Sequence, residues 1–149
     1  MKKLLLLAAA LLVLAFSSVC LAADGGILNK EQAVAEKFVT ELSAAEPAYA
    51  NIAAGFDASL KEKLTEKNFP ELLKQVKEKM GRCQSMKFYN FRRTDAFDEL
   101  VYSSEFSKEK QVALVFVFNK SGKMLNFALT PVRPQEQQVN QPEQKEQGK

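Results

Sequence analysis

The stretch Val112–Phe118 (Val-Ala-Leu-Val-Phe-Val-Phe) limits the folds open to this chain more than any other, because it contains seven consecutive apolar residues. Seven residues are few for a helix, and valine and phenylalanine favour strands. The stretch therefore predicts a β-strand that is buried on both faces, and the rest of the chain must supply the surfaces that cover it. Lysines flank the strand on both sides, at Lys108, Lys110, Lys120 and Lys123.

The sequence after residue 83 predicts four strands that are joined by short links. The predicted strands cover 84–92, 97–106, 110–118 and 123–130. In the last link, Asn119 stands where a turn opens and Gly122 where a left-handed residue is needed. Short links favour pairing between consecutive strands, so we predict a four-stranded antiparallel meander. Its third strand is interior, with one face toward the helices and the other face partly exposed.

The N-terminal half of the chain predicts helices. Asn29 is suited to be an N-cap, with Gln32 three residues later in the capping-box position, so the first helix is predicted over 30–43. Pro47 can open a second, short helix, which Gly55 is placed to end. Apolar residues recur at helical spacing in the first of these segments, which indicates that one side of it is buried.

A third helix is predicted from the capping box at 68–71, where proline occupies the first turn, and Gly81 is placed to end it. Between the second and third helices, Phe56 and Leu60 are expected to hold a turn. The pattern predicts an α+β domain over 28–133, with three N-terminal helices packed on the four-stranded antiparallel meander.

Both ends of the chain have a composition unlike that of the domain. A positive start at 1–3, an apolar run at 4–16 and small residues up to Ala22 are typical of a signal peptide, so 1–22 is predicted to be removed and the protein to be periplasmic or secreted. The alternative is an uncleaved membrane anchor, because 4–23 carries no charge. The Gln-rich segment 134–149 is predicted to be a disordered tail.

The charges and the scarcity of reactive residues argue against several classes of function. A formal net charge of +3, with two of the lysines in the leader, argues against a nucleic-acid binder. The chain has no histidine, and removal of the leader would leave Cys83 as the one cysteine. A metal site and a Cys-His nucleophile are therefore not predicted, and neither is a cofactor. Cys83 itself is interpreted as a buried apolar side chain, a reactive thiol or a link between two chains.

Several short motifs resemble a known family. They are Ala-Glu-Lys-Phe-Val at 35–39, Phe-Asp-Ala-Ser-Leu-Lys at 56–61, the predicted helix that ends at Gly81, and the closing hairpin at 118–122. Together they resemble a bacterial exported domain of unknown function, which occurs alone or ahead of secreted α/β-hydrolases. The order of helices and strands is also similar to that of the NTF2-like and cystatin-like cones. The resemblance implies a curved sheet around a pocket and brings no catalytic residues.

Six residues are candidates for lining that pocket: Tyr49, Phe56, Asp57, Tyr89, Tyr102 and Phe116. The five aromatic residues among them are alternatively interpreted as core packing, because aromatic side chains dominate small cores. We expect an exported, non-enzymatic domain that binds a small apolar ligand or an envelope protein, and two copies could pair through the sheet face or Cys83. The alternative is an isomerase or lyase in which Asp57 is the base and a tyrosine the oxyanion donor. That hypothesis requires the Asp57 carboxylate to face a pocket rather than backbone N–H groups near Ser59.

Overall fold

A computed structural model describes residues 25–133, in which the four strands form a single antiparallel sheet in the order β1-β2-β3-β4. The strands are β1 (Cys83–Arg93), β2 (Asp98–Phe106), β3 (Val112–Phe118) and β4 (Met124–Pro131). The predicted meander is therefore confirmed, and each strand boundary lies within two residues of its predicted position. The predicted signal peptide and the predicted disordered tail lie outside the described residues.

The central strand β3 pairs with β2 on one edge and with β4 on the other, as predicted. Its Leu114 stands opposite Tyr102 of β2 and Leu129 of β4. Alternate side chains of β3 are fully buried against the helices, whereas those between them are half-buried on the opposite side. The interpretation of the apolar run as buried on both faces is therefore wrong for one face, because the helices pack on a single side of the sheet. The partly exposed second face agrees with the position predicted for the third strand of the meander.

These two sides are called here the inner face and the outer face. The inner face packs against the helices and carries the core side chains of the central strands, namely Leu100, Tyr102, Leu114 and Phe116, each at most 2% exposed. The outer face carries smaller side chains, which are half-buried, namely Val101, Ala113, Val115 and Val117. Side chains alternate along a strand, so neighbouring residues of β2 and β3 meet opposite environments.

Four helices precede the sheet within the described residues. They are α1 over 25–43, α2 (Tyr49–Ala53), α3 (Ala58–Lys63) and α4 (Phe69–Lys79). The helix α1 already includes residue 25, so the prediction that Asn29 is its N-cap is wrong. The short helix α3 stands where only a turn is predicted, and its single buried residue, Leu60, explains why the periodicity is too weak to reveal it.

The start and end of α4 follow the predicted pattern except at the cap. Pro70 stands in the first turn, and Gly81 beyond the end of the helix has a φ of 83°. The Asn68 side chain, however, makes no capping bond to α4. Its Oδ1 accepts from the backbone N–H of Thr65 at 2.6 Å and its Nδ2 donates to the carbonyl of Lys63 at 2.7 Å, so it stabilises the turn before the helix instead.

Candidate functional site

Aromatic residues that are candidates for a pocket wall form a continuous packed cluster around Phe38 of α1. The ring centroid of Phe38 lies 5.9 Å from that of Phe56 and 6.1 Å from that of Phe116. Edge-on contacts extend the cluster, because Tyr49 lies 6.2 Å from Phe56 and Tyr102 lies 5.9 Å from Phe116. Rings at these separations fill the space beneath the inner face. Four of the six candidate residues are thus brought together, but as a packed core.

The fifth candidate, Asp57, caps the helix α3. Its Oδ1 accepts from the backbone N–H of Ser59 at 3.0 Å and its Oδ2 accepts from Nδ2 of Asn119 at 2.9 Å. The bond from the Ser59 backbone lowers the pKa of Asp57 below its usual value. A general base works best with a pKa near the operating pH, so this shift is in the wrong direction. The geometry therefore disfavours the acid-base hypothesis.

The three tyrosines do not converge on Asp57. The hydroxyl of Tyr49 donates to the carbonyl of Leu64 at 2.7 Å. Burial, followed by the negative charge of Glu36, raises the pKa of Tyr102 to about 12. Tyr89, at the bulge between Phe88 and Asn90, is 77% exposed. Each tyrosine therefore has a different environment.

The largest cavity among those described is a groove between α1 and the edge strand β1, with a volume of about 550 Å³. The helix contributes Val39, Ser43 and the exposed carboxylate-bearing Glu36, and the strand contributes Cys83 and Met86. This volume lies within the range of about 300–1,000 Å³ that is usual for ligand sites. We call it the α1–β1 groove.

Cys83 lies on the wall of this groove and is half-buried. Its backbone N–H donates to Oγ of Ser43 at 3.1 Å, and its thiol donates to the carbonyl of Ser85 at 3.4 Å. Burial raises the pKa of Cys83, so the thiol stays protonated at neutral pH. The cysteine therefore presents a weakly polar, unactivated surface to the groove.

A second shallow cavity of about 310 Å³ lies on the outer face. Tyr89 and Val132 form its exposed walls, and Val101 and Ala113 lie at its base. Val132 is 47% exposed, and its backbone N–H is bonded to the carbonyl of Gln111 at 2.8 Å. This cavity is apolar because the small outer-face side chains leave a depression between two larger ones.

A buried ionic cluster, not anticipated from the sequence, lies where β1 ends and β2 begins. Asp98 is 1% exposed and accepts from Nη2 of Arg93 at 2.9 Å and from Nζ of Lys120 at 2.7 Å. Burial opposes the charged form of Asp98, but these bonds outweigh it and lower the pKa of Asp98. Two cations therefore neutralise Asp98 although it is buried.

Glu31 of α1 completes this cluster. It is fully buried, and no donor among the described residues reaches its two carboxylate oxygens. Burial, followed by the charge of Asp98, raises the pKa of Glu31 to about 7, against the opposing charges of Arg93 and Lys120. A protonated Glu31 can donate to the Asp98 carboxylate. The sequence signal was the position of Glu31 four and seven residues before Ala35 and Phe38, on the buried side of α1.

Neither a metal site nor a membrane span is found in the part of the chain that the structure describes. Within residues 25–133, no three acidic, thiol or imidazole groups lie close enough together to hold a metal ion. No helix in the same range is both long enough and apolar enough to cross a bilayer.

These observations define an α+β domain in which helices pack on one face of an antiparallel sheet, with a groove at the edge of that sheet. The sequence model of a family described as "Protein of unknown function (DUF3887)" matches residues 35–127. This match covers more than half of the chain, which therefore belongs to that family. The expected resemblance to a domain of unknown function is confirmed to this extent. No curated protein and no solved structure gives a significant match.

Proposed function

We propose that the chain is an exported, non-enzymatic domain that binds a small, largely apolar ligand in the α1–β1 groove. The observation that carries this proposal is that the interior of the fold is filled, whereas a groove at the edge of the sheet is open. Aromatic rings fill the region beneath the inner face, whereas about 550 Å³ is open between α1 and β1. In this proposal the sheet is curved as in the NTF2-like cones, and the groove lies beside the mouth of the cone.

The groups around the groove indicate which ligands it favours. Val39, Ala44 and Met86 supply an apolar surface, and the flexible methionine can adapt to ligands of different shape. Ser43 adds a hydroxyl at one side. Glu36 is exposed at the rim, so its carboxylate repels anions. The expected ligand is therefore neutral or cationic.

The absence of an activated nucleophile or base in the groove supports a binding role over catalysis. The thiol of Cys83 has a raised pKa, and Asp57 bonds to Ser59 and Asn119 away from the groove. Nucleophilic catalysis needs a group whose pKa is lowered or whose base is adjacent. The groups that touch the groove are suited to recognition.

A thermal-shift and calorimetric screen of the full chain against neutral lipids, steroids and Nile red tests the ligand site. Ala44→Trp would fill the groove, whereas Ala33→Trp places the same ring on the exposed side of α1 as a control. We expect a bound ligand to raise Tm in the wild type and in Ala33→Trp but not in Ala44→Trp. Equal binding by both variants, or no stabilising compound in the screen, would contradict the proposal.

Export is tested by fractionating cells that express the full chain. The positively charged start and the apolar run support removal of residues 1–22, so N-terminal sequencing of the exported protein should begin at Ala23. A full-length chain in the cytoplasmic fraction would contradict export. A full-length chain in the membrane fraction would instead indicate that the leader serves as an anchor.

A second copy of the chain is the other candidate partner, and the outer face favours it. Tyr89 is 77% exposed beside the apolar depression formed by Val101 and Ala113. Exposed aromatic residues next to an apolar surface are enriched at protein interfaces. Val115→Lys, which places a charge on the outer face, tests by sedimentation at several concentrations whether a second copy covers this face in solution.

A further inference from the structure

Three lysines line a cavity of about 230 Å³ next to the turn between β3 and β4. Lys30 and Lys37 come from α1, seven residues apart and therefore on the same side of the helix. Lys123 follows the turn and also lines the cavity. We call this place the lysine pocket.

Backbone carbonyls hold two of the three ammonium groups in position. Nζ of Lys30 donates to the carbonyl of Ser121 at 3.2 Å, and Nζ of Lys123 donates to the carbonyl of Ala54 at 2.6 Å. An ammonium group has three donors, so each of these lysines keeps two others for a ligand. Because these side chains are already ordered, a ligand need not immobilise them on binding.

Among residues 25–133, no acidic side chain lines the lysine pocket. Glu31 and Glu36, which neighbour Lys30 and Lys37 in the sequence, are not among the lining residues. Two further acidic residues that are close in sequence to the lining residues have other partners within the described residues. Glu41 accepts from the backbone N–H of Ala48 at 2.9 Å and from Nδ2 of Asn51 at 2.7 Å, and Asp57 bonds to Ser59 and Asn119. The whole chain carries a formal net charge of only +3, so three lysines without a lining carboxylate form a local concentration of positive charge.

The floor of the lysine pocket is apolar and closely packed. Val34 and Ile52 lie beneath the lysines, and Gly55 lets α1 approach closely, because a Cβ there would stand 2.7 Å from Cγ1 of Val34. At Gly122, whose φ is 70°, the aliphatic part of Lys30 passes over the backbone. A ligand in this pocket would therefore meet cationic donors at its rim and methyl groups at its base.

We propose that the lysine pocket binds the phosphate group of a small amphiphilic ligand. Three point charges around one cavity suit a multiply charged anion whose oxygens point in several directions, and lysine is a common phosphate ligand. The apolar floor takes the first carbons of an attached chain. This site is separate from the α1–β1 groove, whose acidic rim disfavours anions.

Isothermal titration calorimetry of the full chain with inorganic phosphate and with hexyl phosphate tests the proposal. We expect both to bind at low ionic strength, with hexyl phosphate binding more tightly because its chain contacts the floor. The double variant Lys30→Gln/Lys37→Gln should weaken binding by at least about tenfold, which is typical of losing charged hydrogen bonds. Lys37→Gln alone, which removes an exposed side chain, should weaken it less and keeps the test valid if the double variant folds poorly.

The matched control is Lys74→Gln/Lys79→Gln, which removes two exposed lysines from α4. We expect this variant to bind hexyl phosphate as the wild type does. An equal loss of affinity in the control and in the pocket variants would overturn the proposal, because binding would then depend on overall charge. No heat of binding with either phosphate would also overturn it.

Vesicle flotation separates the two sources of such a phosphate group. The vesicles contain phosphatidylcholine with or without phosphatidic acid, and each variant is purified in the exported form that begins at Ala23, so differences between variants report on the pocket. Loss of binding to phosphatidic acid in the pocket double variant alone would assign a lipid headgroup. Binding of soluble hexyl phosphate without such a vesicle difference would assign a free organic phosphate.

Discussion

The inner and outer faces of the sheet differ in how completely the rest of the chain covers them. On the inner face, Leu114 and Phe116 are fully buried against α1 and the adjoining helices, and even Glu31 and Asp98 are enclosed there. On the outer face, Val115 and Val117 of the same strand are half-buried, and the ion pair between Arg92 and Glu99 is open to solvent. One apolar strand thus meets two environments: four of its side chains are buried in the core that holds the fold together, and the other three remain partly exposed.

A lysine placed on each face in turn should give the largest difference in the free energy of unfolding between the two faces. Leu114→Lys would bury an unpaired ammonium, so it should destabilise the protein by more than about 4 kcal/mol and leave it largely unfolded. Val115→Lys, the adjacent control, should cost less than about 1 kcal/mol because its side chain can reach solvent. Urea denaturation followed by circular dichroism measures both free energies of unfolding.

If Val115→Lys lowered the free energy of unfolding by much more than this, the outer face would be covered more fully than the structure of the single chain shows. If that cost grew with protein concentration, a second copy would be covering the outer face in the wild type. Sedimentation of the wild type and the variant at several concentrations would then show a dimer and a monomer, respectively.

Truncating a side chain on each face should give a smaller difference in stability, again with the larger loss on the inner face. Phe116→Ala removes a fully buried ring that contacts Phe38 and Tyr102, so we expect a loss of about 3–5 kcal/mol. Val117→Ala removes two half-buried methyl groups and should cost about 1 kcal/mol. Similar losses at the two positions would show that the outer face is packed as tightly as the core.

The carboxyl group of Glu31 should make the inner face sensitive to pH. Its pKa is raised from 4.5 to about 7, so between these values the folded state binds a proton that the unfolded chain has lost. Stability should therefore be highest below about pH 4.5, as far as Glu31 is concerned, and fall by up to about 3 kcal/mol as the pH rises to about 7.

Glu31→Gln isolates this contribution because the amide keeps the shape and cannot ionise. We expect its free energy of unfolding to change little over the same pH window and to exceed that of the wild type at pH 8. The groups that face Glu31 are Asp98, Arg93 and Lys120, and they are unchanged in the variant. Parallel pH profiles for wild type and variant, measured by urea denaturation, would contradict the assignment.

Neutral substitutions of the adjacent acidic residues Asp98 and Glu99, which lie on the inner and outer face respectively, should give the smallest difference in stability. Asp98→Asn weakens the hydrogen bonds that Arg93 and Lys120 donate to a buried carboxylate and should cost about 2 kcal/mol. Glu99→Gln weakens a bond to Arg92, whose side chain is 57% exposed, and should cost less than about 0.5 kcal/mol. Making both substitutions in the Glu31→Gln background keeps the titration of Glu31 out of the comparison. Equal costs would indicate that Asp98 is more solvated than its burial implies.

Most of the fold follows from local signals. The apolar run at 112–118 and the short links on either side of it were enough to predict the four strands and their order, because consecutive strands pair when the link between them is short. The start of α1 and the whole of α3 were missed. The capping pattern at Asn29 lies inside a longer helix, and α3 has only Leu60 to mark its buried side.

The candidate site was far less predictable than the fold. Tyr49, Phe56, Tyr102 and Phe116 are the residue types of a pocket wall and equally those of a core, and only their mutual packing shows that they are a core. Asp57 is a further case, because its capping bonds run to Ser59 two residues away and to Asn119 far along the chain. The α1–β1 groove joins two elements about 40 residues apart, as the bond between Ser43 and Cys83 shows.

The sequence by itself determined the α+β class, the meander and the interior position of β3, because these depend on the periodicity of neighbouring residues. The tertiary structure alone decided that the rings fill the interior, that Glu31 and Asp98 share a buried cluster, and that Lys30 stands over a turn 91 residues away. The physical reason is that a side chain's pKa, its partners and the space beside it are set by groups that folding brings close, and no local pattern in the chain records those groups.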